Sequence, residues 1–372
     1  MNIITGHAKF DENGKPRHGT GFELTTYFDK RKKSYYHIRH SLFVGNKTEV
    51  EKSTQFKKDT FNLGYKYLPF LLRCFQEQVI NFYYIFKSRP VELYIGIDPL
   101  NGFSGVIANK LGFITHSIFY TADYAYERFN NRILNFVYHK IDMFVAKNSA
   151  QVWNVSSRIV EERIRQGIPR DKVYLVPNTP DRSKIKIKPL SQINRYDIAI
   201  VGNITRALNI TIIIDEIKQL SGKYPKIRLL IIGSGEYEKD LIKYVRGLRL
   251  QKHIKFLGSL GHNDVLKILS DSAVGVAIYT DNDPWTRFGD SMKVREYMAC
   301  GLPIILNDIP STADDVKKEM VGFVLKNEKD VGKKIDKLLS DNKTYKIMRA
   351  NAIRLSKRYD FYKVVSEALH NL

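Results

Sequence analysis

The chain has 372 residues, of which 43% are hydrophobic and 27% charged. That is more than one ordinary core, suits two domains of roughly 150–200 residues, and excludes a disordered or low-complexity protein. Two cysteines, Cys74 and Cys300, exclude a disulfide scaffold and cannot build a zinc site alone, while 60 Lys+Arg against 39 Asp+Glu give a net charge of +21. Such a field favours anionic partners, whether nucleotide phosphates, nucleic acid or an acidic membrane surface, without choosing among them.

MNIITGHAKF reads as a short strand (2–5) and lacks the charged start and long apolar run of a signal peptide. Further strands are expected at 37–44, 91–97, 116–120, 151–155 and 173–176, with helices at 67–87, 103–111, 130–138 and 157–166 between them. The longest greasy region, 67–86, is broken by Arg73, Gln76, Glu77, Gln78 and Asn81, so no membrane span is expected and a cytoplasmic protein is. Its apolar positions 68, 71, 72, 75, 79, 82, 83 and 86 form a helical stripe. The stripe is expected to face the core; the alternative is a membrane-facing helix rimmed by Lys66, Arg73, Lys87 and Arg89, at the inner face of the membrane.

The second half repeats the rhythm in YDIAIVG (196–202), IRLLIIG (227–233), HIKFLG (253–258), AVGVAIY (273–279), LPIILN (302–307) and GFVL (322–325). Near-continuous apolar runs ending in Gly and alternating with helices mark buried parallel strands. PDRSKIKIKPLSQINR (180–195) has two prolines, many charges and no sustained pattern. The expected architecture is α/β, two Rossmann-like doubly wound domains facing each other across a cleft. The domains are 1–182 and 193–357, with a linker at 183–192 and a C-terminal helix (358–372) assignable to either. Ligands of such folds bind beyond the carboxyl ends of the strands.

GDSMKVREYMACGLPII (289–305) is the most informative segment: a loop, a helix from Met292 to Ala299, a stop at Gly301 and a new strand after Pro303. Lys293 and Arg295 fall in the first helical turns, where cations are disfavoured unless an anionic ligand docks on the free N–H groups. Glu296, about one turn on, is suited to accept hydrogen bonds from sugar hydroxyls; a surface helix with solvated charges is the plain alternative. In IVGNITRALN (200–209) a strand ends at Gly202 and Arg206 stands where a helix begins. IIGSGEYEKDL (231–241) resembles half a dinucleotide fingerprint, and RHGTGFE (17–23) places Gly19 and Gly21 after the first strand, to approach a ligand or simply turn the chain. Thr205, His262 and Asp281 or Asp283 are candidates to touch a ligand, with an ordinary loop or cap role as the plain alternative; Trp285 either walls the sugar pocket or fills a surface gap, and His18, His37 and His40 show no metal-ligand spacing.

Together these segments resemble the GT-B fold glycosyltransferases, and within them the retaining nucleotide-sugar transferases of family 4 (glycosyl transferases group 1). REYMACGLPII is similar to the family's E-A-M-A-x-G-x-P helix, VYLVPN (173–178) to the strand leading into the second domain, FLGSLGHNDVLKIL (256–269) to the segment flanking the base, and GTGFE to the N-domain glycine loop.

The resemblance implies a nucleoside diphosphate sugar donor, a glycan or lipid-linked acceptor, retention at the anomeric carbon, and no metal and no other cofactor. It implies that Glu296 binds the ribose, that Arg206 and Lys293 neutralise the diphosphate, and that the backbone from Asp290 through Ser291 to Met292 holds sugar and phosphate at the helix start. Gly202 would lie at the phosphates, Gly19 and Gly21 would close over them, and Asp123, in YTADY, would stand beside the reacting sugar. The chain departs from the family in having Phe288 where an acidic residue is usual, Asn203 in place of an arginine, and no histidine at the position of Asp123. A non-catalytic nucleotide-sugar or glycan-binding subunit of a biosynthetic complex is the alternative function. Nucleic acid is not an expected partner, since no recognition helix, RNA-binding signature or zinc module is present.

Overall fold

The computed structural model describes residues 1–10, 16, 19–41, 47–64, 68–280 and 284–372. His18, Lys66, Asp281 and Asp283 lie outside the described residues. The chain folds as two compact units, Met1–Pro177 with Phe361–Leu372, and Asn178–Asp360. No helix among the described residues is long and apolar enough to cross a membrane.

The first unit contains, in order, β1 (Asn2–Ala8), α1 (Thr20–Lys30), β2 (Tyr35–Ser41), β3 (Lys47–Ser53), β4 (Lys58–Gly64), α2 (Phe70–Lys87), β5 (Val91–Ile97), α3 (Pro99–Lys110), β6 (Ile114–Thr121), α4 (Arg132–Asn148), β7 (Gln151–Asn154), α5 (Ser157–Arg165) and β8 (Val173–Leu175). Its sheet runs β4-β3-β2-β1-β5-β6-β7-β8. Pairing is parallel from β2 through β8, whereas β2-β3-β4 is an antiparallel meander. Ile3, Ile4, Ile38, Tyr94, Ile95 and Phe119 are buried, as strands covered on both faces require. The antiparallel strands β3 and β4 are not among the strands expected from the sequence. β3 and β4 are too polar to announce themselves; the buried Glu49 and Glu51 of β3 are neutralised by Arg39, at 2.6 and 3.1 Å.

The helix of the predicted apolar stripe is rotated from expectation. α2 buries Glu77, Ile80, Asn81, Tyr84 and Ile85, while Leu71, Phe75, Val79 and Phe86 of the stripe are exposed. Ile80, Tyr84 and Ile85 of this face join the core, and Asn81 beside them is held by His40, Thr5 and Asn101.

The second unit contains β9 (Asp197–Val201), α6 (Ile210–Lys223), β10 (Arg228–Ile232), α7 (Glu238–Gly247), β11 (Ile254–Gly258), α8 (His262–Asp271), β12 (Val274–Ala277), α9 (Met292–Cys300), β13 (Ile304–Asn307), α10 (Thr312–Lys318), β14 (Gly322–Leu325), α11 (Val331–Ser340) and α12 (Asn342–Arg358). Its six strands are all parallel in the order β11-β10-β9-β12-β13-β14. The stretch 183–192 groups with this unit: Lys188 pairs with Asp271, and its carbonyl accepts from Arg349 at 2.7 Å. The last helix, α13 (Phe361–His370), groups with the first unit, where Gln151 donates to the Ala368 carbonyl at 2.8 Å.

Both sheets reverse direction of growth once, between β1 and β5 and between β9 and β12. At such a crossing the following loops diverge to opposite faces and leave a crevice at the strand ends.

Candidate functional site

In the second unit the crevice is built around α9. β9 and β12 pair only at Val274–Ile198 and Gly275–Ala199, then separate. Tyr297 fills the gap: its hydroxyl accepts from the Val201 N–H at 2.9 Å and donates to the Val276 carbonyl at 3.4 Å. A Cβ on Gly275 would lie 2.5 Å from the Tyr297 ring, so glycine is what lets α9 seat so closely. The helix start is thereby fixed over the carboxyl ends of both strands.

Ser291 precedes α9 without capping it; its hydroxyl instead meets the Tyr279 hydroxyl at 2.6 Å. Lys293, in the first turn, is partly buried. Its Nζ sits 4.8 Å from the Tyr279 ring centre and 3.0 Å from where a Cβ on Gly202 would be. No carboxylate among the described residues lies within ion-pair distance of it. Burial pulls its ammonium down to about 8, partly opposed by Glu296. A lysine beside the positive end of a helix and without a counter-ion is locally unfavourable, and an anion at this spot reverses both terms.

Glu296 is buried and accepts from His262 Nε2 at 2.7 Å. Gly202 and Gly233 shape the neighbouring loop. Gly233 has φ +130°, and a Cβ there would approach the Gly202 carbonyl oxygen to 1.9 Å. The IIGSG segment thus braces the loop after β9, with Ile204 N–H donating to the Ser234 carbonyl at 3.0 Å; its glycines serve backbone packing.

Arg295 is explained differently from Lys293. It is buried and pairs with Asp290 and Asp315, each at 2.8 Å, and its guanidinium stacks 4.5 Å over Tyr359. Burial opposes its charge, but the two aspartates outweigh that and raise its pKa. Asp290 also accepts from the Asn178 N–H at 2.8 Å, so its carboxylate is occupied within the protein and only its backbone is left for a ligand. Phe288, at the position where an acid was sought, is buried. Arg206 lies on a short turn after β9, 75% exposed, with Asp240 at 3.3 Å and the Tyr237 ring at 4.4 Å.

The first unit has its own crevice at the β1/β5 crossing, a cavity of about 680 Å³ lined in part by Gly19, Gly21 and Asp123. Gly19 precedes α1 in an extended conformation open to any residue, whereas Gly21 lies inside α1, where a Cβ would come within 2.5 Å of His37 Nε2. Asp123 bonds Arg128 at 2.7 Å. Two cavity residues escaped the sequence reading. His7 is clamped between Asp98 at 2.7 Å and Glu77 at 3.1 Å; burial opposes its charge, yet the two acids push the imidazole up to about 10. Asp98 holds φ +82° and caps α3 by accepting from the Asn101 N–H at 3.0 Å, a strained position of the kind found at binding sites. The Asp-Pro pair ending β5 was the available signal, a cap followed by proline at the first helical position.

Residues 181–355, which include α9 with Lys293 and Glu296, match the family of glycosyl transferases group 1. The second unit carries this match to the group 1 glycosyltransferases. A curated relative, the UDP-Gal:alpha-D-GlcNAc-diphosphoundecaprenol alpha-1,3-galactosyltransferase of Escherichia coli, is 24% identical over 292 residues, 74% of this chain and 73% of its own length. The gpi3 subunit of phosphatidylinositol N-acetylglucosaminyltransferase from Schizosaccharomyces pombe is 24% identical over 64% of this chain, which spans 49% of that protein. Among solved structures, Anabaena HepE in complex with UDP superposes over the whole of both chains with a TM-score of 0.71 at 14% identity. The two sheets are thus those of the GT-B fold.

Proposed function

We propose that the chain transfers a glycosyl group from a nucleoside diphosphate sugar to a glycan or lipid-linked acceptor, with retention at the anomeric carbon, in cell-surface polysaccharide or glycoconjugate synthesis. The observation that carries this reading is Lys293, an ammonium with no carboxylate within ion-pair distance among the described residues, at the β9/β12 crossing beside an uncapped helix start. A diphosphate there supplies the missing negative charge. As the glycosyl bond breaks, charge grows on the leaving phosphate, and Lys293 with the amides from Asp290 to Met292 stabilises it. Gly202 leaves the ammonium room, and Arg206 adds a cation on the loop after β9. Glu296, oriented by His262, accepts hydrogen bonds from the ribose.

In the first unit we assign the cavity bearing Gly19, Gly21 and Asp123 to the acceptor, with Asp123 beside the reacting hydroxyl. The location we propose is cytoplasmic, at the inner face of a membrane. Leu72, Phe75 and Val79 of α2 are exposed, and near them Lys87 and Arg89 supply charge for acidic lipids. Nucleic acid is not a partner in this reading.

A thermal-shift panel of UDP-, GDP-, ADP- and dTDP-sugars tests the donor site, because a ligand of the native state raises its stability by mass action. One nucleotide class is expected to raise the midpoint of the wild type; no shift with any of them overturns the reading. Glu296→Ala is expected to raise the donor KM at least about 10-fold, the scale of ~1.4 kcal/mol, with the fold intact. The lysine and helix amides do the work of a divalent cation here, so transfer is expected to proceed at an unchanged rate in EDTA. Anomeric coupling constants of the product report retention or inversion directly.

A further inference from the structure

We propose that Tyr279 is a positioning residue for Lys293, its ring seating the lysine ammonium at the β9/β12 crossing before the donor arrives. This rests on the donor reading above and adds to it the group that prepares the lysine.

Tyr279 lies just beyond β12, and one side chain clamps both of its backbone groups. Its N–H donates to Asn307 Oδ1 at 3.2 Å, and its carbonyl accepts from Asn307 Nδ2 at 2.6 Å. Asn307 is buried at the end of β13 and donates also to Glu328, after β14, at 2.8 Å. Glu328 in turn accepts from Asn209, before α6. The neighbouring Thr280 N–H donates to the Ala207 carbonyl at 3.0 Å. The segment after β12 is thereby tied to the end of β13 and to the loop that follows β9. A buried network with its members satisfied rigidifies what it holds.

The side chain held in this way touches the start of α9 twice. Its hydroxyl meets Ser291 at 2.6 Å, and Lys293 Nζ lies over its ring, 4.8 Å from the centre. Gly202 also bounds the ammonium, since a Cβ there would come within 3.0 Å of it. Among the described residues the titratable groups that face Lys293 are Glu296, on its own helix, and Tyr279. Burial pushes the Tyr279 hydroxyl up to about 12, so the ring stays neutral where the lysine titrates. For a desolvated ammonium with no carboxylate in ion-pair range, the face of an aromatic ring is an electron-rich partner, and the attraction grows as water is excluded. The ring thus opposes the burial that discharges the lysine and restricts the rotamers its long stem otherwise samples, which is preorganisation for an incoming diphosphate.

The test is the affinity of the full chain for UDP, GDP, ADP and dTDP by calorimetry at pH 7 and pH 9, with the probe that binds the wild type best carried through the variants. Tyr279→Leu is expected to weaken it about 5-fold at pH 7 and about 10-fold or more at pH 9, because without the ring more of the lysine is uncharged at the higher pH. Tyr279→Phe, which keeps the ring, is expected to stay within about 2-fold of the wild type. Pentafluorophenylalanine at position 279 has a similar shape and reversed ring electrostatics; it is expected to bind as weakly as the leucine variant, and it keeps the test decisive if that variant unfolds. In a Lys293→Ala background, Tyr279→Leu is expected to change the affinity by less than about 2-fold, since the partner of the ring is gone. Affinity unchanged or raised in Tyr279→Leu overturns the proposal. So does an equal loss in both backgrounds, a loss that is the same at both pH values, a Phe variant as weak as the leucine one, or a fluorinated ring as good as Phe. Lys293→Ala alone separates the two readings: unchanged affinity there removes the donor site, whereas a loss there without coupling to Tyr279 removes only the role of the ring.

Discussion

Lys293→Ala is expected to lower kcat/KM for glycosyl transfer on the order of 100-fold, the range seen when one preorganised group is removed from a developing negative charge, and at the same time to raise the thermal midpoint. The two effects have one cause. Without ligand, the ammonium is desolvated at the positive end of α9 with no carboxylate of the described residues within ion-pair distance, which costs stability; with the diphosphate bound, the same charge stabilises the transition state. The pH dependence follows from the free group lying near pH 8 rather than at its ordinary 10.5. Catalysis needs the charged form, so kcat/KM is expected to fall about tenfold per unit above pH 8, while kcat holds to higher pH because a bound diphosphate raises the lysine again. For stability the sign is opposite. Between about 8 and 10.5 the unfolded chain binds more protons at this residue than the folded chain, so the wild type gains stability as pH rises through that window, and Lys293→Ala loses that gain. Unchanged kinetics with an intact fold would remove Lys293 from the donor site.

Arg295→Ala is expected to destabilise the second unit by about 3–5 kcal/mol, the penalty for leaving partners of a buried ion pair behind. Asp290 and Asp315 both face Arg295, and Asp290 also ties down Asn178 and the residues leading into α9. Arg295→Lys is expected to recover only part of the loss, since one ammonium cannot reproduce the planar fork that spans two carboxylates and stacks on Tyr359. Denaturant midpoints of the two variants decide it; a midpoint for Arg295→Ala within 1 kcal/mol of the wild type, as an order-of-magnitude tolerance, rejects the account. Loss of stability here, against a gain at Lys293, is the signature that separates the cation built into the frame from the cation held for a ligand.

That contrast shows where sequence reasoning reached its end. Lys293 and Arg295 are two residues apart on one short helix, and propensity and charge pattern treat them alike. Only the folded chain gives Arg295 its pair of aspartates, Asp290 from the loop before α9 and Asp315 from α10, and leaves Lys293 with no carboxylate of the described residues within ion-pair distance. The same applies to α2. Its apolar spacing is plain in the chain, but which side is buried depends on partners far away in sequence: Glu77 faces His7 across 70 residues and Asn81 meets His40 across 41. A face that joins Ile80, Tyr84 and Ile85 to polar residues with such partners is buried in preference to the more apolar stripe.

The chain by itself determined the second sheet almost strand for strand, because parallel strands covered on both faces must be apolar throughout and end where the chain turns to a helix. It also determined the position of α9, from a helix start, a glycine stop and a following strand. The tertiary structure alone decided the antiparallel meander of β2, β3 and β4, whose polar side chains are stabilised by Arg39 and not by their own pattern. It alone brought His7, Glu77 and Asp98 together, and it alone set Tyr297 across the parting strands β9 and β12. Periodicity records which residues share a face; the free energy of a buried charge or an unpaired N–H depends on what lies opposite, and that is fixed only when the strands have found their order.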